Sequence, residues 1–237
     1  MIRARQIEKR YGGFQAVWPM DIDVRAGEVF GFLGLNGAGK TTTLRMLGGV
    51  LPPTSGDIWI DGVSLKDNPV EARRRMGFIP DRPYLYDKLT GREFLRFVGE
   101  LYGMARATLD DRVEAQLSIQ GLDGFSDALV EAYSHGMKQR LVLAGTLLHE
   151  PRALIVDEPM VGLDPRGARQ LKETFRTLAG EGRTVFLSTH TLQVAAEVCD
   201  RIAIIHQGRI AILGTVAEVT QGAGELEEAF LRITEVA

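Results

Sequence analysis

The chain has 237 residues, of which 45% are hydrophobic and 25% are charged. This length suits one large α/β domain with a subdomain and is short for two independent cores. The net charge of −3 gives no sign of nucleic-acid wrapping by bulk electrostatics, and the single cysteine, Cys199, excludes an internal disulfide framework and a multi-cysteine zinc site. Cys199 lies in an apolar pattern, so we expect an unreactive core residue.

No stretch of the sequence predicts a membrane span. The longest apolar run, residues 29–35, is far below the roughly 18 residues that cross a bilayer. The N-terminal stretch lacks the apolar core of a signal peptide. We therefore expect a cytoplasmic protein, and if it works at a membrane, another polypeptide must supply the span.

The first sixty residues predict strands. Rough alternation of apolar and polar side chains marks residues 3–11 and 17–27, and a continuous apolar run marks residues 29–35. A further strand over residues 57–62 ends in a turn. The N-terminal part of the chain is thus predicted to be mainly β-sheet.

From Thr90 onwards the periodicity becomes helical. Thr90 and Glu93 have the spacing of a capping box and precede an amphipathic run. Thr108, with an acidic residue three positions later, has the same capping-box spacing and precedes a second predicted helix, which Gly121 would end. Residues 88–150 are therefore predicted to be a mostly helical block.

The rest of the chain alternates strands and helices. Apolar strands are predicted at 153–157 and 184–189, each followed by a helix, the first of which covers roughly 165–180, and a hairpin at 201–214 follows. Such alternation argues for a mainly parallel sheet covered on both faces. Residues 215–237 predict a short helical tail. The acidic residues of this tail include Glu225, Glu227 and Glu228.

Residues 34–42, GLNGAGKTT, fit the pattern G-x-x-x-x-G-K-[ST] and directly follow a buried strand. Glycines such as Gly37 and Gly39 let the backbone curl so that its amides face phosphate oxygens, while the next helix directs its positive end inward. Lys40 adds a mobile cation over the phosphates, and the Thr41 hydroxyl is placed to bind Mg²⁺. The stretch predicts a nucleoside triphosphate site.

Two acidic residues follow a second buried strand. Asp157 is predicted to hold the Mg²⁺ shell through water, and Glu158, one residue on, is a candidate general base for the attacking water. The simpler alternative is that both merely end a strand. His190 ends another apolar strand and could donate to a γ-phosphate oxygen, although a lone histidine in such a place is more often structural.

Together these motifs resemble the nucleotide-binding subunit of an ATP-binding cassette (ABC) transporter, exporter-like and of the ABC-2 type, over nearly the whole chain. YSHGM resembles the signature motif, usually Leu-Ser-Gly-Gly-Gln. It matches that motif at Ser134 and Gly136 and departs from it at Tyr133, His135 and Met137. In chain order, VGLDP resembles the D-loop and STH the switch-histidine loop.

The resemblance implies an α/β fold: a P-loop (RecA-like), mainly parallel sheet with an N-terminal antiparallel β subdomain and an inserted helical subdomain. We expect a single domain over residues 1–237. Its catalytic core and β subdomain would cover 1–87 and 151–214, the helical signature subdomain 88–150, and the C-terminal helical tail 215–237.

The resemblance also assigns the site residues. Tyr11 matches the aromatic residue that stacks on adenine, and the catalytic residues would be Lys40, Asp81, Glu158 and His190. Metal contacts are expected from Thr41, Asp81 and Asp157. The residues expected to contact the nucleotide are Tyr11, Val17, Asn36, Gly37, Ala38, Gly39, Lys40, Thr41, Thr42, Ser134, Gly136, Met137 and Asp164.

The implied cofactors are ATP and Mg²⁺, and the implied mechanism uses two subunits packed head to tail. Each ATP lies in the phosphate loop of one subunit and under the signature helix of the other, where Ser134 and Gly136 would donate to the γ-phosphate. Expected partners are a second ATPase subunit, in a homo- or heterodimer, and a separate transmembrane permease that holds the chain on the inner face of the membrane. No nucleic-acid partner is expected.

Asp81 is the main departure from the family pattern, which usually has glutamine at this position. A carboxylate there can still bind the metal or a water, or it can be a simple loop residue. Tyr84, Leu85 and Tyr86 lie where the family docks a helix of its membrane partner, although they could equally fill the subdomain core.

Two other functions remain open. One is a soluble ABC-type machine acting on ribosomes or nucleic acid, and the other is a module that holds ATP without hydrolysing it. The first is disfavoured because this chain has one cassette and a single cysteine, and its helical block lacks sustained heptads. The second is disfavoured because Glu158 and His190 are both present.

Overall fold

The computed structural model describes residues 1–220 and 226–235. Glu225, which the sequence places in the acidic tail, lies outside these residues. The strands are β1 Ile2–Tyr11, β2 Phe14–Val24, β3 Val29–Leu33, β4 Ser55–Ile60, β5 Val63–Ser64, β6 Met76–Ile79, β7 Ala153–Asp157, β8 Thr184–Thr189, β9 Arg201–His206 and β10 Arg209–Thr215. The helices are α1 Lys40–Leu47, α2 Pro69–Arg74, α3 Gly91–Leu101, α4 Arg106–Ile119, α5 His135–Leu147, α6 Pro165–Gly180, α7 Leu192–Val198, α8 Val216–Thr220 and α9 Leu226–Glu235.

Two sheets organise the described chain. The N-terminal sheet is antiparallel, with strand order β2-β1-β4-β5, and the larger sheet has the order β10-β9-β3-β8-β7-β6. Every neighbouring pair of the larger sheet is parallel except β9 and β10, which form the expected hairpin. The predicted α/β class with a mainly parallel sheet and an N-terminal antiparallel sheet is confirmed.

The central strands of the larger sheet are buried on both faces. All residues of β3, β7 and β8 are buried, as expected for parallel strands covered by helices or a second sheet. Phe30 and Phe32 face the N-terminal sheet and α1, where the Phe30 and Phe186 rings stack at 5.4 Å. Val29 and Leu33 point to the opposite face, which is covered by α6, α7 and α9.

Three helices that lie between β6 and β7 in the chain share an apolar cluster of their own. Helices α3, α4 and α5 form it through Phe94, Leu95, Leu109, Val113 and Leu141. Two short 3₁₀ turns, Asp123–Phe125 and Val130–Ala132, connect α4 to α5. Because this cluster is separate from the two that cover the sheet, the helices form a distinct layer beside the core.

His149 joins this helical layer to the sheet. Its ring stacks on Tyr102 at 3.7 Å between centroids, and its Nε2 lies 3.1 Å from the carbonyl oxygen of Met76 on β6. Burial lowers the pKa of His149. The neutral ring therefore packs at the junction as an apolar side chain with one polar contact.

The two predicted capping boxes have different outcomes. At α3 the Thr90 hydroxyl accepts a hydrogen bond from the Glu93 amide, and the Glu93 carboxylate accepts one from the Thr90 amide, which lowers the pKa of Glu93. At α4 the prediction is wrong, because the helix begins earlier, after Ala105, and the Thr108 hydroxyl donates to the Ala105 carbonyl. Gly121 does end α4, with φ of 62°.

Cys199 agrees with its expected place in the core. Cys199 is buried, with 6% of its surface exposed, and burial raises the pKa of its thiol to about 12. It therefore remains a protonated, unreactive core side chain. Within residues 1–220 and 226–235, none of the helices combines the length and hydropathy that a bilayer span needs.

The contrast between the two caps gives a stability prediction. Thr90→Ala removes a hydrogen bond to the α3 terminus and should lower the free energy of unfolding by about 1 kcal/mol. The expected fall in Tm is about 2–4 °C, measured by differential scanning calorimetry. Thr108→Ala is the matched control and should change stability by less than about 0.5 kcal/mol. Equal losses in the two variants would contradict the assigned caps.

Candidate active site

Four parallel strands end at one edge of the larger sheet. Strand β3 leads into the phosphate loop, β6 leads to Asp81, β7 ends at Asp157, and β8 leads to His190. In parallel α/β sheets, ligands bind outside the carboxyl ends of the strands. The predicted site residues of the catalytic core therefore meet at the edge where a nucleotide is expected.

The phosphate loop curls as its glycines predict. Gly37 and Gly39 have φ values of 83° and 108°, which L-residues with a side chain rarely adopt, and the space around Gly37 is open. The Ala38 amide donates to the Leu35 carbonyl at 3.1 Å, and the Ala38 carbonyl accepts from the Gly208 amide at 2.9 Å. The β9–β10 turn thus holds the loop from behind and leaves its outer side facing the cleft.

Lys40 is a buried cation at the start of α1, with 6% of its side chain exposed. Its Nζ donates to the Gly34 carbonyl at 2.7 Å and lies 3.6 Å from Oε1 of Glu158. Burying an ammonium group is costly unless it is paired and hydrogen-bonded, so Lys40 depends on these partners. A triphosphate at this position would replace Glu158 as the main negative charge beside Lys40.

Glu158 lies between Lys40 and His190. Its φ is 49°, an uncommon value for a residue with a side chain, and its amide contacts both the carbonyl and the hydroxyl oxygen of Ser188 at 3.2 Å. The carboxylate is mostly buried, and its Oε2 lies 3.0 Å from Nδ1 of His190. A strained backbone held by several hydrogen bonds is common at functional sites.

Asp157, one residue earlier, is almost fully buried, with 2% exposure. Its Oδ1 accepts a hydrogen bond of 2.5 Å from the Ser188 hydroxyl. Ser188 therefore fixes both acidic residues, through the side chain of Asp157 and the backbone of Glu158. This role could not be predicted from the sequence, because Ser188 is one polar residue within an apolar strand.

An open cleft of about 400 Å³ lies in front of these residues. Its volume falls in the range of small-molecule sites. Four lining residues were not predicted from the sequence: Phe14, Ala16, Leu35 and Val161. The predicted residues that line the cleft are Tyr11, Asn36, Gly37, Gly39, Lys40, Thr41, Thr42, Asp81, Glu158 and His190.

Val17 and Ala38 do not line this cleft. The Val17 side chain is fully buried, and its Cγ2 lies 3.4 Å from the position that a Cβ on Gly39 would take, so it supports the loop from the core side. Strand alternation explains the difference, because it exposes Ala16 to the cleft when Val17 faces the core. Ala38 is also buried, with 6% exposure. The side chains of both residues therefore lie on the core side of the loop, and their contact with a nucleotide stays a prediction.

Tyr11 stands at the outer end of the cleft, paired across the β1–β2 turn with Phe14. Both rings are exposed, at 48% and 67%, and the Lys9 ammonium lies 5.5 Å from the Tyr11 ring centroid. The pairing provides two aromatic surfaces where the sequence predicted one. The two glycines between residues 11 and 14 indicate a tight turn, and this turn could have predicted that Phe14 lies opposite Tyr11.

Asp81 lies in the segment after β6 with half of its side chain exposed. It lines the nucleotide cleft and also a narrow crevice between the helical layer and the sheet, in which Asp157 and Gln139 take part. Its carboxylate is 3.9 Å from the guanidinium of Arg82. A metal or water contact by Asp81 stays a prediction, and its position in the cleft leaves room for it.

The signature and D-loop residues lie outside the cleft of their own chain. Ser134 is the N-cap of α5, where its hydroxyl accepts from the Met137 amide at 3.3 Å, and the space beside Gly136 is open. Asp164 is the N-cap of α6 and accepts from the Gly167 amide at 2.7 Å. None of the residues 134, 136, 137 and 164 lines the cleft.

The donor set fits Mg²⁺ only together with a nucleotide. Thr41, Asp81 and Asp157 supply the oxygen ligands that this ion prefers. In the described part of the chain, no three His, Cys, Asp or Glu side chains group closely enough to hold a metal ion. Phosphate oxygens and waters would have to complete an octahedral shell, which is how Mg²⁺ is usually held at phosphate sites.

One known family model covers most of the site residues described above. Residues 17–161 match the family model described as ABC transporter. This match spans the phosphate loop, Asp81, the signature residues and Glu158.

Curated proteins show the same relation over most of the chain. The linearmycin resistance ATP-binding protein of Bacillus subtilis is 36% identical over 94% of this chain and 72% of its own length. The bacitracin transport ATP-binding protein of Bacillus licheniformis is 42% identical over 89% of this chain and 68% of its own length. The Nod factor export ATP-binding protein I of Cupriavidus metallidurans is 37% identical over 88% of this chain and 69% of its own length.

Solved structures agree with the sequence relatives. A structure described as the ATP-binding subunit of an ABC transporter has a TM-score of 0.91 and 32% identity, and the match covers 98% of this chain and 99% of that one. A dimeric bacterial ABC transporter cassette has a TM-score of 0.83 and 25% identity, covering 91% and 98%. The resemblance drawn from the motifs is confirmed: this chain belongs to the ABC transporter family and is an ATP-binding subunit of such a transporter.

Proposed function

We propose that the chain is the ATP-hydrolysing motor subunit of an ABC transporter, which dimerises around two Mg-ATP and drives a separate permease in export. One observation carries the proposal: Lys40, Glu158 and His190 form a connected group inside the cleft. The signature residues Ser134 and Gly136 lie outside that cleft. A site that contains its catalytic groups but not its second anion-binding helix needs another copy to be complete.

Glu158 is the proposed general base. Its carboxylate is mostly buried, and its strained backbone is held by hydrogen bonds to Ser188. The side chain borders the place where a γ-phosphate would meet Lys40. There it would accept the proton of the attacking water. Bound Mg²⁺ would neutralise charge on the phosphate oxygens, with Thr41, Asp157 and Asp81 as the protein groups that hold it.

His190 acts on Glu158 first and on phosphate second. Nδ1 of His190 lies 3.0 Å from the Glu158 carboxylate, and the His190 backbone amide donates to Oε2 of Glu158 at 3.4 Å. A neutral imidazole that carries its proton on Nδ1, facing Glu158, would have only an acceptor at Nε2. Donation to a γ-phosphate oxygen then requires Nδ1 to leave Glu158, or the ring to carry both protons. The proposed role of His190 is thus to orient Glu158 before ATP is seated.

The proposed dimer uses the two anion sites of one chain on two different nucleotides. Lys40 and the phosphate loop would hold one ATP, while the open start of α5 at Ser134 and Gly136 would cover the ATP of the other copy. Met137 and Asp164, which also lie away from the cleft, would face the same partner. Association costs about 4–15 kcal/mol in rigid-body freedom, so loss of the γ-phosphate should separate the copies.

The segment of residues 80–89 is the proposed contact with the permease. Tyr84 is 79% exposed and Tyr86 44%, and their rings meet edge to face at 5.3 Å. Tyr86 also packs on Phe97 of α3 at 5.2 Å, whereas Leu85 turns into the apolar cluster of the helical layer. Exposed aromatic side chains on a supported surface are typical of binding sites.

Export is the proposed direction because relatives carry export and resistance names. The permease would hold the chain at the cytoplasmic face of the membrane. No comparison favours a soluble machine acting on ribosomes or nucleic acid. The separate apolar cluster of α3, α4 and α5 supports a helical signature subdomain over 88–150 beside a core over 1–87 and 151–214. The described part of the proposed tail over 215–237 packs within a cluster of the core.

Glu158→Gln tests the motor function. The amide keeps the shape of the side chain but cannot act as a base, so turnover should fall by about 10²–10⁴-fold. The variant should still bind Mg-ATP and accumulate as a dimer in size-exclusion chromatography with light scattering. Adding Lys40→Ala to this variant should abolish both nucleotide binding and the dimer. Hydrolysis at the parent rate by Glu158→Gln would remove Glu158 from the mechanism.

Asp81→Ala and Asp81→Gln together test the departure from the family pattern. If Asp81 touches the metal or the attacking water, the alanine variant should lose at least about tenfold in kcat, because one transition-state contact of this kind is worth roughly that factor. Glutamine should retain most of the activity. Arg82→Ala, an almost fully exposed neighbour, serves as the control. Parent-like kcat in Asp81→Ala would make Asp81 a simple loop residue.

A further inference from the structure

The loop that follows Glu158 is held at two points by the signature helix of its own chain. The Gln139 side chain, one turn into α5, donates from Nε2 to the Val161 carbonyl at 2.7 Å. The His135 ring lies against Gly162: a Cβ built there would be 2.6 Å from Nε2 and 2.7 Å from Cδ2 of His135. We call residues 158–163 the catalytic loop.

The contact of Gln139 with Val161 is connected to Glu158 by a further hydrogen bond. The Val161 amide donates to the Glu158 carbonyl at 3.3 Å, so Gln139 is two hydrogen bonds from the backbone of the proposed base. Glu158 has φ of 49°, a conformation that persists only when its surroundings determine it. Ser188 fixes the amide side of Glu158, and the turn at Val161 fixes the carbonyl side.

Gln139 keeps one polar atom buried without a partner. Its Oε1 has no hydrogen-bond partner, although such burial is unfavourable. Gln139 does not line the nucleotide cleft, whereas Val161 does. Of its two polar atoms, only Nε2 makes a hydrogen bond, and that bond goes to the catalytic loop at Val161. The contact with Val161 therefore accounts for the position of this side chain.

The second contact depends on the absence of a side chain at residue 162. Gly162 has φ of 78°, and the His135 ring occupies the space where its Cβ would project. His135 is also where the motif departs from its usual glycine, which would leave that space empty. The ring therefore covers the turn that a glycine in the usual motif would not touch.

We propose that Gln139 and His135 are positioning residues, which hold the catalytic loop so that Glu158 points at the attacking water in its own chain. The inference rests on the proposed function, because it takes Glu158 as the base. It adds a second role for α5: the start of the helix would serve the partner's nucleotide, while its inner side orients the base for its own.

Gln139→Met tests the first contact. Methionine matches the length of glutamine and removes both the donor to Val161 and the unpartnered Oε1, so stability should be nearly unchanged. The expected result is a fall in kcat of about tenfold, with the Kd for Mg-ATP, measured by isothermal titration calorimetry, within about twofold of the parent. Lys138→Met is the matched control, because its side chain contacts Asp87 and not the catalytic loop.

A purely structural role for Gln139 would give a different result: a lower Tm with kcat unchanged. That outcome, or parent-like kcat with parent-like Tm, would overturn the role of Gln139. Turnover of the parent, measured in parallel, separates this failure from that of the proposed function. If the parent hydrolyses ATP and Gln139→Met does so equally fast, only the positioning role is lost; a parent without ATP hydrolysis overturns both.

His135→Ala and Gly162→Ala, alone and combined, test the second contact. Gly162→Ala should lower kcat through both backbone strain and collision with His135. Adding His135→Ala should restore kcat at least about threefold, though not to the parent value, since strain at φ of 78° persists. Strictly multiplicative effects of the two substitutions on kcat would show that the ring and the glycine do not interact, and would overturn the role of His135.

Discussion

The buried ammonium group of Lys40 sets the requirements that the rest of the site meets. Only 6% of its side chain is exposed, and its charge is balanced by carbonyl oxygens of the phosphate loop and by Glu158 at 3.6 Å. Glu158 in turn needs an uncommon backbone conformation, which Ser188 stabilises from the neighbouring strand. The cleft is therefore organised around a positive charge that ATP can neutralise better than the protein does alone.

Helix α5 connects this site to the rest of the chain through three consecutive side chains. One contacts the proposed permease-binding segment, one the catalytic loop, and one the end of α4. Since all three residues lie within two turns of the N-cap, a shift of the helix start would alter all three contacts together. The contacts are Lys138 with Asp87 at 3.2 Å, Gln139 with Val161 at 2.7 Å and Arg140 with Gln120 at 2.6 Å.

Local patterns predicted the sheet class, the phosphate loop and the cap at Thr90, because each depends on residues close together in sequence. The start of α4 at Ala105 was missed, since alanine offers no capping signal. The resemblance identified the position of Val17 but did not show that its side chain faces the core, because a motif match does not tell which way a strand residue faces. The contact of Gln139 with Val161 could not be predicted, because it joins residues 22 positions apart through tertiary packing.

The central claim is that one nucleotide is shared between two copies of the chain. The most direct test is a crystal or cryo-electron microscopy structure of the Glu158→Gln variant with Mg-ATP. The account predicts each γ-phosphate beside Lys40 of one copy and within about 3 Å of the Ser134 hydroxyl and the Gly136 amide of the other. A monomer that holds Mg-ATP alone, or a pair that keeps residues 134–136 away from the γ-phosphate, would contradict it.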